Sequence, residues 1–377
     1  MSATFDGRRD ATLRVVLAED RSDLPRRHPY ARSILDPAEL ARLSEFPGAS
    51  PDFPLLFYGL DKSDQLCCYF RTIPDLLYVD QQPRRWAWTG DNFTFPAYRG
   101  QGLSTWLQGE ATSYLQAVGI ARGSVFSNDI TLHIFRKLGI TVAGYVPRLL
   151  ALRSVRPVLA AHIPQPLLRR AARYLTQPAT WMGSQLIFAR GRAHRRGVVR
   201  ERMESLSDID LRQLLAGTAA WQSLHFCRDP THFRVKLAMA RRAGQLDAWL
   251  LRHASSGQPT GYMVVRQRHQ ERPLAERYRN FKLMTLLDYG VTSPTRAMAE
   301  TLVGHLIGLY QESPAEVLEL IAANEQVVRA AKRCGLVSVG KGMSFSYALA
   351  DQLPKHDRLN DISAWSLSHF SGDAFSY

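Results

Sequence analysis

Apolar positions recur at three- and four-residue spacing in two distant parts of the chain. Leu103, Trp106, Leu107, Ala111, Tyr114, Leu115 and Val118 share one helical face, and Met298, Leu302, Leu306 and Leu309 share another. Such spacing predicts half-buried helices. Each follows a strand-like stretch, Trp86–Thr94 and Lys282–Gly290, and one shift of 196 residues carries the first pair onto the second. The same shift lays Leu66-Cys-Cys-Tyr-Phe70 on Tyr262-Met-Val-Val-Arg266, and Asn128–Gly139 on Asn324–Gly335. The last two segments read as short amphipathic helices, opened by an Asn cap and closed by glycine. One offset that aligns a turn, two strands and two helices favours duplication over coincidence.

The fold class expected is α+β, with two similar units at residues 1–152 and 201–350, a joining segment at 153–200 and a tail at 351–377. Each unit should run strand, helix, a meander of strands, helix, strand, helix, strand. Pro157, Pro164, Pro166 and Pro178 predict that the joining segment holds only short helices. The aromatics of the tail, from Trp365 onward, predict that it docks on a surface.

Composition narrows the class. With 45% hydrophobic and 22% charged residues, the chain is neither disordered nor fibrous. No apolar run reaches membrane-spanning length, and charges stand where a secretory signal would need its apolar core. The four cysteines lack metal-ligand spacing, so reduced thiols, no metal and a cytoplasmic setting are expected. The net charge of +14 is localised: ten arginines and no Asp, Glu or Lys lie between Ala151 and Arg200. That pattern marks one basic segment rather than a basic protein. It fits a solvated spacer, a peripheral anionic membrane surface or a polyanion; no recognisable nucleic-acid module accompanies it, which argues against nucleic acid.

One motif carries chemistry. Phe93-Thr-Phe-Pro-Ala-Tyr98-Arg99-Gly100-Gln101-Gly102-Leu103-Ser104-Thr105 joins a strand to a helix. Two glycines at a helix start let backbone N–H groups converge on an anion, favoured by the helix dipole. The spacing is neither that of a P-loop nor that of a dinucleotide fold. Followed by Asn128 and Phe135-Arg-Lys137-Leu-Gly139, it resembles the GNAT family of acyl-CoA N-acyltransferases, whose pattern is Arg/Gln-x-x-Gly-x-Gly/Ala, then Asn and Tyr-x-Lys-x-Gly-Phe. The match covers residues 50–145 in detail, and the whole chain looks like a tandem form.

The resemblance implies an acyl-CoA, most simply acetyl-CoA, as co-substrate. Gln101–Thr105 would hold the diphosphate, the edge at Phe93, Thr94 and Phe95 would pair with the pantetheine, and Arg99, Gly100, Asn128 and Phe135 would complete that site. An amine or hydroxyl of a small molecule or sugar would attack the thioester directly. Two departures stand out: Ser104 replaces Gly/Ala, and Phe135 replaces the tyrosine that protonates the departing thiolate. Tyr98 and Ser127 are candidate substitutes, Asp91 is the candidate base and Asp80 its reserve. The second unit has no matching glycines, Met298 falling where Gly102 would be, so it should not bind coenzyme. His225, His232, Asp288 and Tyr289 are candidate lining groups for an acceptor between the units. Alternatives are a non-catalytic scaffold and an aminoacyl-tRNA-dependent transferase.

Overall fold

The computed structural model describes residues 11–23, 27, 30, 34, 43–125, 127–219, 224–242, 244–270, 280–350, 358–368 and 370–371. In the first half, β1 (Thr12–Leu17), β2 (Pro54–Leu60), β3 (Leu66–Val79) and β4 (Gln82–Thr94) form an antiparallel meander. Helix α1 (Leu103–Ala117), β5 (Ala121–Val125), α2 (Asp129–Lys137), β6 (Thr141–Val146) and β7 (Arg148–Leu152) follow. The joining segment holds α3 (Arg156–His162) and α4 (Pro166–Ala193). The second half contains β8 (Val198–Arg202), α5 (Asp208–Ala219), β9 (Leu224–Phe226), α6 (Pro230–Arg241), β10 (Gln245–His253), β11 (Pro259–Gln270) and β12 (Phe281–Val291). It closes with α7 (Arg296–Glu312), β13 (Val317–Ile321), α8 (Glu325–Cys334), β14 (Val337–Ser338) and β15 (Met343–Ala348).

The shift of 196 residues holds element by element: it carries β5 onto β13 and begins α8 where α2 predicts. Asn128 and Asn324 cap these two helices, accepting from the N–H groups of Thr131 and Val327 at 2.8 and 3.1 Å. Gly139 and Gly335 leave them with φ of +69° and +102°, a conformation that a Cβ disfavours.

The sheets are not assembled half by half. The first has the order β1-β2-β3-β4-β5-β15-β6, with β9 added to the far end of β3; the second has the order β14-β7-β13-β12-β11-β10-β8. Each half therefore gives its last strand to the other's sheet, and β15 sits between β5 and β6. Only Pro147 separates β6 from β7, too few residues for a hairpin, so the chain runs on into the other sheet. Where the return crossing passes, Gly342 has φ +86°, and a Cβ there would lie 2.2 Å from the Val146 carbonyl oxygen. The main core is shared: Trp86, Trp88 and Phe345 of the first sheet pack with Phe226, Phe233 and Tyr262 of the second half.

The expectation of only short helices in the joining segment is overturned by α4, which spans 28 residues with Pro178 inside. Proline removes one N–H, but Pro178 is on the exposed side, where water can serve the Tyr174 carbonyl it deprives. Hydroxyls of Thr176, Thr180 and Ser184 bond back to the carbonyls of Ala172, Thr176 and Thr180, bracing the inner side. The C-terminal half of α4 seats Phe188 and Gly191 against α7, where Gly191 meets Ile307. The tail docks as expected within its described part. Trp365 is fully buried against Trp86, Phe226, Phe345 and Tyr347, and residues 372–377 lie outside the described residues.

Candidate functional site

The site is a fork in the first sheet. Parallel β4 and β5 pair only at Trp86–Ala121, Ala87–Arg122 and Trp88–Gly123, then part. Gly123 is required at the fork because a Cβ there would stand 2.2 Å from the Trp86 ring. At the parting point the Thr89 hydroxyl donates to the Gly123 carbonyl, 3.0 Å. One step on, the pairing of β3 with β4 slips, and Asp91 takes φ +44°. That geometry is a β-bulge, which re-aims the strand beyond it. The Asp91 carboxylate is ion-paired with Arg71, which pins the bulge.

Beyond the bulge, Phe93 and Phe95 pack edge to face at 5.1 Å, with Tyr69 against both. The Arg99 guanidinium lies over Phe93 at 5.8 Å and its Nε donates to the Thr94 carbonyl, 3.1 Å. This closes the strand end into a tight turn. Gly100 and Gly102 then adopt φ of +81° and +76°, and α1 begins with Gly102 as a cap that offers no side chain. The N–H groups of Gly100, Gln101, Gly102, Leu103, Ser104 and Thr105 find no acceptor among the described residues; the first bond of the helix is donated by Trp106 to Gly102, 3.0 Å. Alternating left-handed and ordinary residues that aim successive N–H groups into one concavity make an anion nest. Asn92 holds the nest to the bulge by donating to the Ser104 hydroxyl at 2.8 Å.

The matching point of the second half is built differently. Helix α7 starts at Arg296, and the Thr295 hydroxyl accepts from the Met298 N–H, 3.3 Å. No residue of that turn from 292 to 298 is glycine, and the cap uses a donor that the first half leaves open.

Other residues singled out in the sequence are dispersed. The Tyr98 hydroxyl donates to Asp61 at 2.7 Å, and this bond pushes its pKa up to about 12. Ser127 lies beyond β5 at the mouth of the fork, its hydroxyl 3.0 Å from that of Ser124 and its carbonyl accepting from Ser344 on the exchanged strand β15. Asn128 is spent as a helix cap. Phe135 is buried with Leu132 and Ile140. Asp80 and Gln81, both at positive φ, turn the β3–β4 hairpin at the opposite end of β4 from the nest.

Sequence reasoning missed Arg122. It is fully buried beneath the fork, sandwiched between Phe70 and Phe135 at 5.1 and 5.4 Å. It donates to the Gln108 side chain at 2.5 Å, to Thr112 at 2.7 Å and to the Gln108 carbonyl at 3.3 Å, with Thr89 at 3.4 Å. All these acceptors are neutral, and burial alone pushes its pKa down from 12.5 to about 9. The clue in the sequence is Gln108 and Thr112, polar residues four apart on the otherwise apolar face of α1.

Between the halves lies a second polar cluster. Asp288 accepts from Tyr262 and Ser368 at 2.7 and 2.9 Å and sits 3.6 Å from Arg228. Lys236 of α6 reaches Asp75 of β3 at 3.5 Å and donates to the Phe370 carbonyl in the tail, 3.0 Å. His232 lines this cluster, whereas His225 stacks on Tyr78 and Tyr289 is buried beside Asp288. These groups chiefly serve one another, so the cluster welds the halves and the tail together.

No family model matches the sequence, and no curated protein matches it. Solved structures do. N-myristoyltransferase of Saccharomyces cerevisiae with bound myristoyl-CoA superposes with a TM-score of 0.53 at 11% identity, over 82% of this chain and 73% of that one. A probable N-acyltransferase from Enterococcus faecalis gives 0.54 at 12% identity, over 90% and 73%. A GCN5-related N-acetyltransferase from Anabaena variabilis gives 0.53 at 11%, over 90% and 73%. The chain has the two-unit GNAT fold.

Proposed function

We propose that this chain is an acyl-CoA-dependent acyltransferase whose first unit carries the reaction. The observation that carries the reading is the run of unsatisfied N–H groups from Gly100 to Thr105, opening on solvent at the start of α1. Six donors and a helix dipole suit a diphosphate, and one fold neighbour, an N-myristoyltransferase, holds bound myristoyl-CoA. The parting strands leave the β4 edge open, so a pantetheine arm can add to it as an extra strand would. The bulge at Asp91 re-aims β4 beyond it, and main-chain N–H groups of that free edge can polarise a thioester carbonyl.

Arg122 supplies what Phe135 lacks. A desolvated guanidinium with no carboxylate partner favours negative charge developing on a departing thiolate. Asp91, fixed by Arg71, orients the acceptor amine or hydroxyl more readily than it takes its proton. An acetyl group and a small amine, alcohol or sugar acceptor are the simplest substrates, with no metal in the step.

Titration calorimetry with acetyl-CoA and longer acyl-CoA thioesters tests the reading. One site per chain is expected, because Thr295 caps the corresponding helix of the second unit. Gly102→Glu should abolish binding by placing a carboxylate in the nest. Absence of binding for every thioester would refute the proposal. A second reading, coenzyme binding without transfer, is favoured by the burial of Phe135 and the commitment of Tyr98 to Asp61. Thiol release over a broad acceptor panel separates the two.

A further inference from the structure

We infer that α4 is an interfacial helix that lays the protein on an anionic lipid bilayer. Its inner side, with Thr176, Thr180, Ser184, Ile187, Phe188 and Gly191, faces the protein. The opposite side should be polar in a helix that meets only water. Instead Leu167, Tyr174, Leu175, Pro178 and Met182 recur there at offsets of 7, 8, 11 and 15 residues, flanked by Leu168, Trp181 and Leu186. Leu167 and Leu175 are 81% and 82% exposed, and Trp181 is 61% exposed. Scattered surface leucines are ordinary, but a stripe about five turns long is an interaction surface.

Charge identifies the partner. By helical position Arg170, Arg190 and Arg192 border the stripe, α4 contains no Asp or Glu, and none of the three forms an ion pair among the described residues. An apolar stripe with a Trp and a Tyr, fringed by uncompensated guanidinium groups, matches acyl chains at its centre and lipid phosphates at its edges. No described helix is long and apolar enough to cross a membrane, so α4 would lie in the plane of the interface.

Vesicle co-sedimentation of the full chain tests this. Wild type should bind vesicles of phosphatidylglycerol mixed with phosphatidylcholine, and bind pure phosphatidylcholine about tenfold less. Leu175→Glu with Met182→Glu should reduce binding to the anionic vesicles about tenfold without altering the thermal unfolding midpoint, because neither side chain contacts the core. Arg170→Gln with Arg190→Gln and Arg192→Gln should remove the preference for anionic lipid while leaving the fold intact. Wild type that ignores both vesicle types would overturn the inference. So would lipid-free self-association that the double glutamate variant abolishes, since the stripe would then belong to a second copy of the chain.

Discussion

Replacing Arg122 with methionine should move stability and turnover in opposite directions. Burial lowers the guanidinium pKa from 12.5 to about 9, a drop worth about 5 kcal/mol of charging cost in the folded protein. Methionine fills similar space without that cost. The Thr89 and Thr112 hydroxyls are not stranded: Thr89 still donates to the Gly123 carbonyl, and Thr112 to that of Gln108. The Gln108 side-chain oxygen loses its partner, at about 1–3 kcal/mol. The balance leaves Arg122→Met about 2–4 kcal/mol more stable than wild type, as replacement of a buried ion by an apolar group of like volume allows. Turnover should fall. Taking a guanidinium–thiolate separation on the order of 6 Å and an effective dielectric near 20, the charge contributes about 3 kcal/mol, or about 100-fold in rate. Urea denaturation and thiol release measure the two effects, with Arg122→Lys expected to recover part of the turnover. A variant that loses stability yet turns over normally would make Arg122 a purely structural residue and remove it from the proposed chemistry.

The crossing between sheets can be tested at two glycines of one loop. Gly342→Ala adds left-handed strain to a clash with the Val146 carbonyl and should cost about 2–5 kcal/mol, whereas Gly340→Ala, with open space around its Cβ, should cost only about 1 kcal/mol; equal shifts in the urea midpoint would contradict the packing argument. Burial, aided by Arg200 and Arg195, lowers the His305 pKa from 6.5 to about 4. The unfolded chain therefore takes up a proton over that window while the folded one does not, so stability is lost as pH falls through it, by about 3 kcal/mol from this residue. His305→Gln should flatten the fall in urea midpoint between about pH 7.5 and 4.5; an unchanged slope would show that other groups govern acid sensitivity.

The duplication was legible because helix periodicity, Asn caps and terminal glycines are local signals, and they survive at low identity between the copies. The nest was legible for the same reason: Gly100 and Gly102 stand where a positive φ is needed. The strand exchange was not, because a strand's side-chain alternation is the same whichever sheet it joins. Its trace is Pro147, alone between β6 and β7. The length of α4 was misjudged because the rule against interior proline assumes a buried carbonyl, and Pro178 lies on the exposed side. The sequence offers Asp91 as a candidate base but does not show its ion pair; its partner Arg71 is 20 residues away, and only the bulge brings them together.

The exchange of final strands has a bearing on why a half without its own nest persists. The fork lies in a sheet whose sixth strand, β15, is contributed by residues 343–348, and the hydroxyl of Ser344 on that strand holds the Ser127 carbonyl at the mouth of the fork. During synthesis the first sheet must wait, gapped between β5 and β6, until nearly the whole polypeptide has emerged. A gene split in the middle would yield two open sheets with exposed edges. Shedding the second half would thus dismantle the sheet that carries the fork.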